Sequence, residues 1–278
     1  DYTARYIGQR LADRIGHGVV VDNRPAASGI VGTELVAKAV PDGYTLLLNA
    51  NGVWTLPAMQ SVAFDVLQDF APISLVASSP TVLVVPPSFP ANNLQEFITL
   101  MKARPGEFNY ASYGIGSGPH LATELFIRAT GANLLHVPYK GSPQVLTTLV
   151  AGEIQLYFIA SAGTVVPQEK AGRVRALGVS TKQRLPILPH VPPIADALPG
   201  YEAIGWNGIL APAGTPREIV LKLHDEIARR VLAPEERDKL MRDGYEISGL
   251  GPDQYAAFLR AETAKWAKVI KAGNVKAE

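Results

Sequence analysis

The chain has 278 residues, 47% hydrophobic and 18% charged, with a formal net charge of +1 and a pI near 8.1. So balanced a charge carries no basic footprint of the kind that displaces counterions from nucleic acid, and no nucleic-acid partner is expected. The absence of cysteine excludes a disulfide framework, a thiol nucleophile and thiolate metal ligation.

The opening stretch DYTARYIGQRLADRIG places Ala4, Ile7, Leu11, Ala12 and Ile15 on one face and predicts a helix. An α/β domain ordinarily supplies a strand for such a helix to cover, so residues upstream of Asp1 are expected. GVVVDN at 18 to 23 reads as a strand, followed by a helix from about Gly32 to Ala39 and by strands in YTLLLN at 44 to 49, PISLVA and TVLVVP. These strands are near-continuously apolar, which predicts a parallel sheet covered on both faces. The longest apolar run, PTVLVVPP at 80 to 87, falls far short of the roughly 20 residues that a membrane helix needs. After a helix near 93 to 103 the rhythm restarts, with strands NYAS, LLHVP, IQLYFI and RALGVS and helices around 119 to 130 and 142 to 150. A Pro- and Gly-rich region at 185 to 216 interrupts it. Thr215, Pro216 and Glu218 then read as a capping box before a helix with Ile219, Val220, Leu223, Ile227 and Val231 on one face. Two further helices are expected after Pro234 and Pro252, packing back onto the first α/β unit. The pattern predicts two α/β lobes, 1–80 with 208–278 and 81–207, with crossings near 78 to 84 and 205 to 212 and a ligand cleft.

The chemistry concentrates in NYASYGIGSGPHLATELF at 109 to 126. As a dinucleotide loop it fits poorly, because Gly114, Gly116 and Gly118 alternate and Pro119 occupies the place of the third fingerprint glycine. As a hydrolase elbow it lacks G-x-S-x-G, and His120 lies inside the first helical turn, where capping or packing is the commoner role. The five histidines, at 17, 120, 136, 190 and 224, show no metal-site spacing, so neither metal nor cofactor is expected. An anion cradle asks less of the sequence. The glycines let the backbone approach a ligand, the unpaired N–H groups of the helix starting at Pro119 face outward, and Ser112 and Ser117 add hydroxyls. A similar polar loop, with Asn49, Asn51 and Gly52, follows YTLLL.

Several stretches in order, VVVDNRPAASGIVGTELVAKAVPDGYTLLL, NYASYGIGSGPHLATELF, HVPYKGSPQVLTTLVAGEIQLYF, GRVRALGVSTKQR and GILAPAGTP, resemble the Bug or TctC extracytoplasmic solute receptors of tripartite tricarboxylate transporters. The resemblance spans nearly the whole chain. It implies an α/β type II periplasmic binding protein: two Rossmann-like lobes joined by a two-strand hinge and closing around one small organic acid. It implies a monomeric, periplasmic, non-enzymatic receptor that docks on membrane transport subunits. It also implies that the family's first strand and signal peptide precede Asp1. Carried over residue by residue, it assigns ligand binding to Asn49, Ala50, Asn51, Ser112, Gly114, Gly116 and Ser117, beside which Tyr113 is a candidate aromatic contact. Tyr139 and the end of IQLYFI, at Ile159, would line the second lobe. The family commonly has an aspartate at the position of Ile159. An isoleucine accepts no hydrogen bond, so a plain mono- or dicarboxylate is expected in preference to an amino acid. Trp54 and Tyr113 suit either an aromatic acid or core packing. Lys140 is read as a surface lysine. Two other functions share this pattern: a ligand sensor for a two-component system, and a hydrolase acting through Ser117.

Overall fold

The computed structural model describes residues 2–24, 29–231, 233, 237, 238, 240, 241 and 244–276. It divides into two compact units: residues 1–78, 206–241 and 247–265 form unit 1, and residues 79–205, 242–246 and 266–278 form unit 2.

In unit 1, helix α1 (Tyr2–Ile15) buries Ile7 and Leu11, and Arg14 pairs with Glu226 at 2.9 Å. The segment after it corrects the first expected strand. Residues 18–23 pair with no strand among the described residues, and Val20 is 90% exposed. Val19 and Val21 lie instead against Gly8 of α1, where a Cβ would come within 3.2 Å of Val19. A β-branched run becomes a strand only where a neighbouring strand edge takes its amides; here its neighbour is a helix.

Helix α2 (Ile30–Ala37), strand β1 (Leu47–Ala50) and the short helix α3 (Asn51–Thr55) follow. Strand β2 (Phe70–Pro80) runs on past residue 78 into unit 2, and β8 (Ile204–Pro212) returns the chain to unit 1. With β9 (Glu246–Leu250) they form a sheet in the order β1-β8-β2-β9, with β1 antiparallel to β8. Its core gathers Trp54, Phe64, Phe70, Leu75, Trp206 and Tyr255. Trp54 is therefore a packing residue, 2% exposed and edge-on to Trp206.

At the start of helix α8 (Arg217–Val231) the described residues show no hydrogen bond between Thr215 and Glu218 of the expected capping box. The Thr215 hydroxyl donates to the Pro212 carbonyl at 2.8 Å and closes the turn that leaves β8. The helix expected after Pro234 starts at a position outside the described residues. The helix after Pro252 is α9 (Pro252–Ala272), and its last part, with Trp266, Val269 and Ile270 buried, belongs to unit 2.

Unit 2 holds β3 (Val82–Val85), α4 (Leu94–Ala103), β4 (Asn109–Ser112), α5 (Gly118–Thr130), β5 (Leu135–Pro138), α6 (Ser142–Val150), β6 (Leu156–Ile159), α7 (Ala162–Lys170) and β7 (Arg175–Val179). Its sheet runs β5-β4-β6-β3-β7. It is mixed where a parallel sheet was expected: β4 runs parallel to β5 and β6, whereas β3 is antiparallel to both β6 and β7. Only Thr81 separates β3 from β2, so its direction is inherited from the incoming strand and not from a helical crossover. All four residues of β3 are buried, so its apolar run reports coverage of both faces and not parallel pairing.

Alternation along β6 shows the two layers. Phe158 faces Phe126 of α5 and Tyr201, while Tyr157 and Ile159 face a cluster with Val145 of α6 and Val165 of α7. The sheet is thus covered on both faces.

Candidate ligand site

Strands β4, β5 and β6 are parallel, so their carboxyl ends, at Ser112, Pro138 and Ile159, lie at one edge of the sheet. The loops that leave that edge, 113–117, 139–141 and 160–161, each lead into a helix. Such an edge is where open α/β sheets bind ligands. None of the three helices is capped by a side chain at its N-terminus. At α7 the turn at Gly244 fills the space, since a Cβ on that glycine would lie 2.4 Å from the Gly163 nitrogen. At α5 and α6 the first-turn amides of Gly118, His120, Ser142 and Gln144 have no partner among the described residues, and a proline in each first turn removes one donor without blocking the others. Two open N-termini of this kind present N–H donors and the positive ends of two helix dipoles.

The loop into α5 is shaped by its own polar groups. Gly114 and Gly116 adopt φ of 128° and 73°, which disfavour any residue with a Cβ. Ser112 is fully buried, and its hydroxyl accepts the Gly114 N–H at 3.1 Å while contacting the Gly114 carbonyl at 2.9 Å and His136 Nε2 at 2.8 Å. Ser112 therefore forms the loop and presents no free donor. Ser117 donates to the Gly114 carbonyl at 2.6 Å, so neither serine is an activated nucleophile at the surface. His120 accepts the Gly116 N–H at Nδ1, 2.9 Å away, a capping contact and not that of a base on Ser117.

Hydroxyls gather beside these amides. Tyr113 is 37% exposed, and a Cβ on Gly118 would lie 3.6 Å from its hydroxyl. Ser142 shares a 2.9 Å hydrogen bond with the Tyr157 hydroxyl. Burial raises the Tyr113 pKa; burial, with the nearby Tyr113 adding, pushes Tyr157 up to about 12 against the opposing bond from Ser142. Both phenols stay protonated and act as neutral donors at ordinary pH.

The remaining residues divide between scaffold and surface. The Tyr139 amide donates to the Ser112 carbonyl at 2.9 Å, and its half-buried ring packs on the apolar cluster under α6 and α7. Ile159 is 2% exposed in that same cluster, paired with Val82. Lys140 is exposed. In unit 1, Asn49 donates to Thr33 Oγ1 at 3.2 Å and ties the end of β1 to α2, while Ala50 ends β1 and Asn51 begins α3. Tyr157 and Ser142 were not among the expected ligand residues. The available signal was period two along β6, which puts Tyr157 on the face of Ile159, and the position of Ser142 at the first turn of α6. Among the described residues no group of His, Asp and Glu could hold a metal ion.

The family described as the tripartite tricarboxylate transporter family receptor, TctC, matches residues 3–275. The chain belongs to this family. It is 40% identical over 97% of its length to the UPF0065 protein in the tcbD-tcbE intergenic region of Pseudomonas sp. strain P51, of which it covers 81%. Among solved structures it is similar to R. palustris Rpa4515 with adipate, at 35% identity and a TM-score of 0.85, covering 99% of this chain and 93% of that one. MatC (Rpa3494) from Rhodopseudomonas palustris with bound malate follows at 29% identity and a TM-score of 0.81, covering 97% and 94%. The fold is that of the periplasmic binding proteins. TctC proteins are receptors of the tripartite tricarboxylate transporter family, solute-binding proteins and not enzymes. No helix among the described residues is long and apolar enough to cross a membrane.

Proposed function

We propose that this TctC receptor captures a small, non-amino mono- or dicarboxylate in the periplasm and delivers it to the membrane subunits of a tripartite tricarboxylate transporter. The observation that carries the ligand class is the pair of uncapped helix N-termini at α5 and α6, flanked by the hydroxyls of Tyr113, Tyr157 and Ser142. The amides can only donate, and with the positive ends of two helix dipoles they favour an anion over an ammonium; the phenol hydroxyls add further donors. Ile159 supplies no acceptor either, and the Glu124 carboxylate already accepts from the Tyr110 hydroxyl at 2.7 Å. Adipate and malate, the acids in the two similar structures, head the list of candidates. Assigned contacts are the amides of Gly118, His120 and Ser142 with the Tyr113 and Tyr157 hydroxyls; Gly114, Gly116 and Ser117 shape the loop, and Tyr139 supports it.

The test is a thermal-shift screen against mono-, di- and tricarboxylates, aromatic acids and amino acids. An acid at about a hundredfold its dissociation constant should add roughly 2.7 kcal/mol, a rise of several degrees. We expect a shift with a plain carboxylate, reduced in Tyr157→Phe. A shift confined to amino acids would overturn the ligand class, and uptake of the acid unchanged on deletion of the gene would overturn the transport role.

A further inference from the structure

Behind the candidate loop lies a cluster of polar side chains that ligand binding does not use directly: buried Tyr110 on β4 and His120 on α5, with half-buried His136 on β5 and Glu124 on α5. The rings of His120 and His136 stack 4.0 Å apart at 13°, and Tyr110 stacks on His136 at 4.7 Å. Tyr110 donates to Glu124 Oε1 at 2.7 Å, and His120 Nε2 lies 3.8 Å from the same oxygen. The C-terminal end of α9 closes the far side, where a Cβ on Gly273 would meet Glu124 Oε2 at 2.5 Å.

The hydrogen bonds dictate the state of His120. An amide N–H can only donate, so the Gly116 contact requires an unprotonated Nδ1 with a lone pair. The single ring proton of the neutral imidazole then sits on Nε2, facing Glu124. That carboxylate would ordinarily favour an imidazolium, yet imidazolium has no lone pair for Gly116. Burial, reinforced by His136, holds His120 down to about 3, and burial holds His136 down to about 4.

We propose that His120 is a positioning residue for the candidate site: as the neutral Nε2–H tautomer it anchors Gly116 through Nδ1 and so holds residues 114–118 in the shape that leaves the Gly118 and His120 amides open at the start of α5. Ser112 fixes the loop at Gly114 and His120 fixes it at Gly116, two anchors on either side of the one residue between them. Protonating Nδ1 removes the second anchor. The inference rests on assigning this loop to the ligand, but its test uses no ligand, so a failure of the carboxylate screen and a failure of the anchor are separate results.

The test is NMR on uniformly 15N-labelled full chain, comparing wild type with His120→Asn and His120→Phe. The Asn carboxamide oxygen can occupy the place of Nδ1 and accept from Gly116 without titrating, whereas Phe keeps the ring stack and removes the acceptor. Expected in wild type are an unprotonated Nδ1 and a protonated Nε2 on His120 throughout the usual histidine titration range. Losing the anchor should speed Gly116 amide exchange roughly tenfold in the Phe variant and shift the 114–118 resonances, with the Asn variant restoring both. A proton on Nδ1 at neutral pH, unchanged Gly116 exchange in the Phe variant, or a folded Asn variant that behaves like Phe would each overturn the proposal. The wild-type tautomer decides the matter if the Phe variant does not fold.

Discussion

Burial penalises the charged form of an imidazole, and His120 and His136 carry that penalty together, ring on ring. Their folded pKa values, about 3 and about 4, lie below the ordinary unfolded value of 6.5. Between the two limits the unfolded chain binds more protons, so stability rises with pH there and is lost as pH falls below the unfolded value. Buried His120 contributes a slope of at most about 1.4 kcal/mol per pH unit in that window, and nothing above it, while solvent screening reduces the share of half-buried His136. Chemical denaturation at pH values on either side of 6 should therefore show wild type losing stability on acidification, with a smaller loss in His120→Asn. Equal losses in the two proteins would mean that His120 is not held neutral. Ser112 belongs to the same residue-scale account. A buried hydroxyl with three partners is committed to the loop, which is why a serine that reads as a ligand donor in sequence serves here as a brace.

Helix starts in unit 2 are of two kinds. At α4 the N-terminus is closed: Asn93 Oδ1 accepts the Glu96 N–H at 2.9 Å, and the Glu96 carboxylate reaches back to the Asn92 N–H at 2.8 Å. Asn93→Ala should cost about 1 kcal/mol in chemical denaturation, as an ordinary cap does. An unchanged midpoint would show that solvent replaces the cap without loss. At α5 and α6 the cap residues Ser117 and Gly141 make no such bond, and the Ser117 hydroxyl is turned onto the Gly114 carbonyl. A capping residue that satisfies its helix closes it to ligands; one that does not leaves donors for an anion. The same reasoning separates α7, whose first turn is occupied by the Gly244 turn, from the two open helices.

At the scale of the whole molecule, the chain passes from unit 1 to unit 2 in β2, returns in β8, and enters unit 2 again within α9. The unit 2 ends of the β2 and β8 passages are tied to its sheet. Thr81 donates its N–H to Ser180 Oγ at 2.9 Å and its hydroxyl to the Ala203 carbonyl at 3.1 Å, and Ser79 donates to the Ala160 carbonyl at 2.6 Å. Ser180 and Thr81 are both buried. Ser180→Ala should strand the Thr81 N–H in a place without water and destabilise the protein by about 1–3 kcal/mol, read as a lower denaturation midpoint. A neutral substitution would mean that the passage does not need this tie.

Much of this architecture is written in local pattern. Helical periodicity places α1 and α8, short apolar runs place β3 and β6, and the ordered motifs identify the TctC family, because each depends on neighbours within a few residues. The long-range relations do not. Whether β3 runs with or against β6 depends on how the chain enters unit 2, and whether GVVVDN is a strand depends on what lies beside it. Ser112, His120 and His136 meet only because β4 and β5 are paired and α5 folds back over them. Tyr157 and Ser142, 15 residues apart, become partners through packing of α6 on β6. Residue types near one another in the chain determine which elements form; tertiary packing alone decides which polar groups are already satisfied by the protein and which remain open for a ligand.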